Sequence, residues 1–278
     1  MVTECGGKEP RQDGAVVAAT IRGGGMISIH DAWATAAGWL LAGVALAADC
    51  TVLQPGADLA GCDLSRQVLA GRDLHGARLA GAKLENTDLR GSDLSGADLS
   101  GANAKWAHFE GARLNGADLR NADLFHAILD GADLGNAKLT GAYLFGANLI
   151  DTRARGADFT NAYLKDILME GIDVSGGSLR NCYVLRGVLI GAKLVGTDLS
   201  GADLTGAAAE NTDFSRARLH GTRLAGATLR FATFAAADLQ GAEFSNADVW
   251  NAVFDGAVNR PDSLTTALAE VFTGTAKP

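Results

Sequence analysis

The stretch GSDLSGADLSGANAKW, residues 91–106, states one rule three times: a small side chain, a polar one, a large apolar one, then two variable positions. Its last unit keeps the rule but writes Ala104 in the large slot and Trp106 at the close. The same phase continues in both directions without an insertion. With the apolar residue taken as centre, centres recur every five residues from Leu59 to Phe254, which makes forty repeats, and 33 of those centres are leucine or phenylalanine. Two residues before each centre the side chain is Ala, Gly, Ser, Thr or Cys in all repeats but four, those of Gln67, Arg72, Ile167 and Ile172. A period of five fits neither the 3.6 of a helix nor the 2 of a long strand. Each repeat is therefore a short extended piece followed by a bend, with one large and one small residue turned inward. Glycine or asparagine often closes the unit, where a turn needs a permissive backbone.

Composition agrees with a folded repeat protein. The 278 residues carry a net charge of -8 and are 47% apolar, with 36 glycines and only four prolines, unlike a proline-rich disordered linker. The acidic balance argues against a nucleic-acid partner, which a basic stripe would serve.

The units ADLSG, ANLID and AKLTG resemble the pentapeptide repeat family, whose pattern is A, D or N, L and two variable residues; the likeness spans residues 57–256. It implies an all-β solenoid, a right-handed quadrilateral β-helix with four repeats per coil and so about ten coils. Both ends of such a rod need covering. The expected organisation is a leader at 1–47, a β-helix at 48–256 with regular repeats from 57, and a C-terminal capping helix and tail at 257–278. Within the last segment Pro261 precedes a capping Asp262 or Ser263, and Leu264, Leu268 and Val271 or Phe272 make an apolar face before Gly274.

Four repeats per coil set residues 20 apart above one another, so each face reads as a column. Phe214, Phe234 and Phe254 share an inward column and predict a stack of buried rings. On the face with centres Leu124, Leu144, Leu164 and Val184, the outward slots before the centres hold Asp123, Tyr143, Tyr163 and Tyr183. Those after the centres hold Phe125, Phe145, Lys165 and Leu185, with Trp106 at the edge one coil earlier. The next face adds Ile128, Ile150, Leu168, Val188 and Ile190. The other two faces are charged, with Asp118, Arg120 and Lys138 on one and Arg113, Asp133 and Arg153 on the other. An apolar area over two faces is more than a monomer usually exposes, and it predicts contact with a protein partner or a second copy. The competing explanation is a stabilising ladder with wet hydroxyls. Nearby, Ile167 and Ile172 put large side chains in the small slot and predict a bulge or bend, or else a repacked core around Met169.

The leader suggests export. Ala32–Val44 is apolar but for Thr35, and Ala45-Leu46-Ala47 is the small-x-small pattern of a signal peptidase site, giving a signal peptide at 26–47. The span is short for a membrane helix, so no stable membrane span is expected after processing; the alternative is a buried amphipathic helix over one end of the fold. Cys50 and Cys62 bracket a Pro55-Gly56 turn and suggest a disulfide, which needs an oxidising compartment such as the periplasm or the exterior.

No catalytic chemistry emerges, and no cofactor is expected. The histidines share no metal-ligand spacing; His108 and His126, with Asp130, are the nearest to one. No nucleophile has a base, and a narrow solenoid filled with leucine and alanine leaves no cleft. The expected function is a rigid, exported, non-catalytic scaffold for protein–protein contact. The resemblance also implies an alternative, a cytoplasmic DNA mimic that binds a bacterial type II topoisomerase (gyrase). Residues 50–259 hold 25 acidic against 19 basic residues with the signs interspersed, which is little support for mimicry.

Overall fold

The computed structural model describes residues 48–273. The leader, with its signal peptide reading, and Gly274 lie outside them.

Parallel bridges link each outward residue before a centre to the one 20 positions on, from Asp58 and Arg78 to Asp238 and Val258. That register gives four faces per turn of the coil. The first face carries the column Asp58, Arg78 to Val258, the second Asp63, Lys83 to Glu243, the third Val68, Asp88 to Asp248, and the fourth Asp73, Asp93 to Val253. Each coil is sewn to the next by two main-chain bonds per face and one more at the corner, as where Gly61 N donates to Ala80 O at 2.9 Å. On the first face Leu59 N donates to Arg78 O at 2.7 Å and Arg78 N to Ala57 O at 2.9 Å. The last bridge uses Val258, so the ladder runs slightly past the expected boundary at 256.

The corners explain the fifth position. There the chain closes a four-residue turn, as where Ala77 N donates to Leu74 O at 3.0 Å, and the third residue, Gly76, has φ 64°. Glycine takes this left-handed backbone freely and asparagine tolerates it. The aspartate before the centre has a local task as well. Asp58, Asp63, Asp73 and Asp98 each accept the N–H two residues on through Oδ1, at 3.0–3.3 Å, satisfying a donor that the turn leaves outside the ladder.

Inside, leucine and alanine fill the coil completely; Leu59, Leu99, Leu144 and Leu239 are fully buried. Where the small slot holds a threonine, its hydroxyl donates to a main-chain carbonyl of the preceding coil: Thr87 Oγ1 to Leu64 O at 2.9 Å, Thr152 to Leu129 O at 2.8 Å and Thr222 to Leu199 O at 2.8 Å, whereas Ser92 Oγ donates within its own coil to Leu89 O at 2.7 Å. Cys182 does the same as the threonines through Sγ to Phe159 O at 2.9 Å, and burial pushes its thiol up to about 12. Phe214, Phe234 and Phe254 stack at 4.7 and 4.9 Å within 5° of parallel, and Phe244 meets Phe234 edge-on at 5.8 Å.

The expected bulge at Ile167 and Ile172 is absent. Both are fully buried and the bridges Asn148 to Leu168 and Arg153 to Asp173 stay in register. Volume is traded between coils instead. Gly187 stands one coil above Ile167 in the same slot, and a Cβ there would lie 3.3 Å from Ile167 Cγ2 and 2.8 Å from Val184 Cγ1. Ile172 belongs to the coil above Ala154, a centre with almost no side chain. A repacked core is the outcome.

At the N-terminal end Gln67 and Arg72, in the small-slot phase of the first coil, are exposed. A disulfide joins Cys50 to Cys62, with Cα atoms 5.6 Å apart. At the other end α1, Asp262–Thr273, packs Leu264 and Ala267 into the core. Ser263 Oγ accepts Phe244 N at 3.1 Å, so it anchors the helix to a coil and does not cap the helix itself. Among the described residues no helix is long and apolar enough to cross a membrane.

Candidate protein-docking face

The second face holds the aromatic residues in one connected array. Tyr143 stacks on Tyr163 at 5.1 Å and 14°, and Tyr163 on Tyr183 at 5.3 Å and 24°. Phe125 stacks on Phe145 at 5.6 Å and 9°, beside the tyrosines and 6.3 Å from Tyr143. Trp106 closes the lower end edge-on to Phe125 at 5.3 Å, and Lys165 Nζ lies 5.9 Å from the Phe145 ring centroid. The coil spacing of a β-ladder is about 4.8 Å, close to the distance at which parallel rings touch, so a column of like rings stacks with little adjustment.

Stacking hides much of each ring. Trp106 and Tyr143 are exposed, at 44% and 39%, while Phe125, Phe145, Tyr163, Tyr183 and Leu185 are half-buried against one another. Ring edges and the Tyr143 face are what a partner meets. Ion pairs border the array: Lys105 with Asp123 at 3.2 Å below, and Arg223 with Asp203 at 2.8 Å above. Burial would raise the Asp203 carboxyl, but hydrogen bonds from Thr205 and Arg223 outweigh it and hold the group below the usual carboxylate range.

The third face is more mixed than its apolar column implies. Ile128, Ile150, Leu168 and Val188 are half-buried and Ile190 is 40% exposed. Asp130, Glu170 and Glu210 alternate with them, and Asp130 Oδ1 accepts Ile150 N at 2.9 Å. The corner between the two faces joins them at one level and parts them at another. His126 packs edge-on against Phe125 at 4.3 Å and Phe145 at 5.8 Å, over Gly146, which leaves room for the ring. Two residues above His126 in the same corner column, Asp166 and Arg186 form a two-pronged ion pair, both bonds 2.8 Å, and the apolar surface stops there. The strongest contact surface is thus the second face with its lower corner.

A second exposed aromatic pair lies near the C-terminal end. Phe231 and Trp250 meet edge-on at 4.9 Å, each 47% exposed, with Val253 at 41%. Sequence signals for it exist: Phe231 occupies a corner slot, and Trp250 continues the column of Ile150 and Ile190. Among the described residues three histidines have a carboxylate partner: His75 Nδ1 is 2.8 Å from Asp73, His108 Nδ1 is 3.0 Å from Glu110, and His220 Nε2 is 2.7 Å from Asp238. Among the described residues no group of three or more potential ligands could hold a metal ion.

The model of the pentapeptide repeat family matches residues 73–111, 105–141, 137–176, 188–221 and 222–258, in eight copies. The chain belongs to the pentapeptide repeat family. Between its matched segments the family model passes over 177–187, from Gly177 to Gly187, beside the isoleucines of the repacked core. No curated protein matches the chain. Among solved structures, it is similar to HetL, a pentapeptide repeat protein involved in heterocyst differentiation regulation from the cyanobacterium Nostoc sp. strain PCC 7120. The identity is 29% over 74% of this chain and 90% of HetL, with a TM-score of 0.66. A pentapeptide repeat protein from the Arabidopsis thaliana thylakoid lumen is 32% identical over 42% of this chain and 72% of its own, with a TM-score of 0.30. Trypsin-treated QnrB1, a plasmid-mediated fluoroquinolone resistance protein, is 20% identical over 74% of this chain and 97% of its own, with a TM-score of 0.36.

Proposed function

We propose that this pentapeptide repeat protein is a non-catalytic, exported scaffold that docks a protein through its second face. One observation carries the reading: five aromatic side chains in register, Phe125, Tyr143, Phe145, Tyr163 and Tyr183, on a face whose regular slots hold Asp, Asn, Lys and Ser. Tyrosine and phenylalanine are the residues that bind by large, rigid contact area. The charge pattern favours this scaffold over a DNA mimic. On the fourth face Asp93, Arg113, Asp133, Arg153, Asp173 and Lys193 alternate in sign, with Arg113 and Asp93 paired at 3.2 Å. An alternating column cancels its own field and does not imitate a phosphate backbone. Export is supported by the Ala45-Leu46-Ala47 pattern and by the Cys50–Cys62 disulfide.

The test replaces Tyr143, Phe145 and Tyr163 by Ser, Ser and Thr in one chain. Loss of self-association or of partner capture, with the ladder fold retained by circular dichroism, supports the docking role; unaltered mass and capture refute it. Fractionation tests export: recovery outside the cytoplasm, beginning at Ala48 and with the disulfide formed, is the expected result. A full-length chain with free thiols in the cytoplasm sinks it.

A further inference from the structure

Taking the docking role of the second face as its starting point, we propose that the occupant is a second copy of this chain, lying parallel to the first about a two-fold axis along the rod. Extent argues for it first. The aromatic section covers four coils, about 19 Å long by roughly 10 Å wide at ordinary strand dimensions. Its footprint of about 200 Å² is far below the roughly 800 Å² per partner of a stable interface. The occupant must therefore follow the rod past the aromatic rings, and another rod of equal length and pitch does so coil for coil.

Complementarity argues for the orientation. A two-fold axis along the rod sets the residue before each centre opposite the residue after the same centre in the second copy. Tyr143 then meets Phe145, Tyr163 meets Lys165, Tyr183 meets Leu185 and Lys83 meets Glu85. Asp123 faces Phe125, Asp203 faces Thr205, and Glu243 faces Ser245, so no like charges oppose each other along the face. Antiparallel rods centred on Tyr163 would set Lys165 against itself and Asp123 against Asp203. Sliding the antiparallel centre sets a tyrosine over Asp123 or Asp203, a cost the parallel pair shares where Phe125 covers Asp123, so the cross-link between the rods decides the orientation.

Trp106 supplies the third argument. It holds φ 53° in a corner slot, a backbone conformation rare for a bulky side chain, and 44% of it is exposed. Across the parallel two-fold the opposite corner of the same coil is Gly101, with nothing within 4 Å of where a Cβ would stand. The indole of each copy fits over the bare corner of the other.

The experiment uses the full chain. Light scattering should give twice the chain mass, and Tyr143→Ser should weaken self-association roughly tenfold, the usual scale for an aromatic anchor. Chains carrying Lys83→Cys mixed with chains carrying Glu85→Cys should cross-link under mild oxidant more than either alone. Cys50 and Cys62 are already joined and Cys182 is buried, and Cys5 is changed to serine in both chains so that it does not compete. A dimer that yields no cross-link between positions 83 and 85 overturns the parallel arrangement. A monomer at every attainable concentration overturns the second copy. If that monomer still captures another protein, and Tyr143→Ser abolishes the capture, the docking face stands while this proposal falls.

Discussion

Ladder packing and docking both use the tyrosines of the second face, but they rank the rungs differently. Tyr163 is the middle rung, with close stacking neighbours on both sides at 5.1 and 5.3 Å, whereas Tyr183 has only Tyr163. A stacked pair contributes about 0.5–1.5 kcal/mol beyond area burial. Tyr163→Thr should therefore destabilise the rod by about 1–3 kcal/mol through stacking alone, and Tyr183→Thr by about half as much. Threonine keeps the β-branched shape that suits an extended segment, so the difference reports the rings. Tyr143 has one close rung and two more distant neighbours, Phe125 at 6.3 Å and Phe145 at 6.5 Å, and falls between.

Docking ranks by what a partner can reach. Tyr143, 39% exposed, should then lead, with the half-buried Tyr163 and Tyr183 behind it. The assay is a pair of measurements on three single variants, Tyr143→Thr, Tyr163→Thr and Tyr183→Thr: urea unfolding for stability, and sedimentation equilibrium for association. Two different orders are expected, with position 163 most costly in the first and position 143 in the second. A single order shared by both measurements, led by 163, would show that association merely follows stability, and would refute a distinct docking role.

Three further outcomes follow from named contacts. Replacing Cys50 and Cys62 by serine should lower stability by about 2–3 kcal/mol, as expected for so short a loop, and reductant should reproduce the loss in the native chain, both read by urea unfolding. Acid should weaken the rod in a defined window: the Arg90 side-chain hydrogen bond holds the Asp88 carboxyl down to about 2, and Asp93 and Asp118 are also lowered, by hydrogen bonds led by Ser95 and Arg120. A depressed folded value means that this stability is complete above the unfolded carboxylate range and fades as pH falls from about 4 towards 2. Circular dichroism against pH should show the loss there and none between pH 5 and 7, with a smaller loss for Asp88→Asn. Ile167→Ala should cost about 2–5 kcal/mol and Gly187→Ala about 1–3 kcal/mol, while the double variant should recover only the share of the sum that comes from the Ile167 contact, because Val184 Cγ1 still stands 2.8 Å from the added Cβ. Strict additivity in thermal unfolding would refute the volume exchange.

Much of this architecture can be read from phase alone, because every slot repeats the same geometry. The unbroken run of centres from Leu59 to Phe254, the phenylalanine column and the tyrosine column are all buried or stacked neighbours in the fold. Periodicity assigns each slot a size, however, and says nothing of how slots one coil apart exchange volume. Ile167 read by itself demands a bulge; with Gly187 above it, the core closes without one. Column reading likewise compares residues 20 apart. Phe231 and Trp250 differ by 19 and occupy different slots, so their contact across a corner escapes it. The carboxylates of the third face, Asp130, Glu170 and Glu210, stand 20 apart from Ile150 and Ile190 in one column, so the column reading already carries the interruption of that patch.

The corners set which surfaces this fold can offer. Because the fifth residue of every repeat holds a left-handed backbone, glycine and asparagine dominate there, and a side-chain surface on one face is normally cut from the next by bare or polar edges. Contact surfaces are thereby channelled along the rod, where identical slots stack at one spacing, and seldom around it. Trp106, His126 and Phe231 break the rule, and each touches an aromatic residue of an adjoining face: Trp106 and His126 meet Phe125, and Phe231 meets Trp250. An aromatic ring at a strained corner is disfavoured for the isolated coil, so its presence points to what the corner contacts. For Trp106 and His126 that contact continues the tyrosine ladder, which makes the lower corner of the second face the place where a partner running along the rod would be gripped from the side.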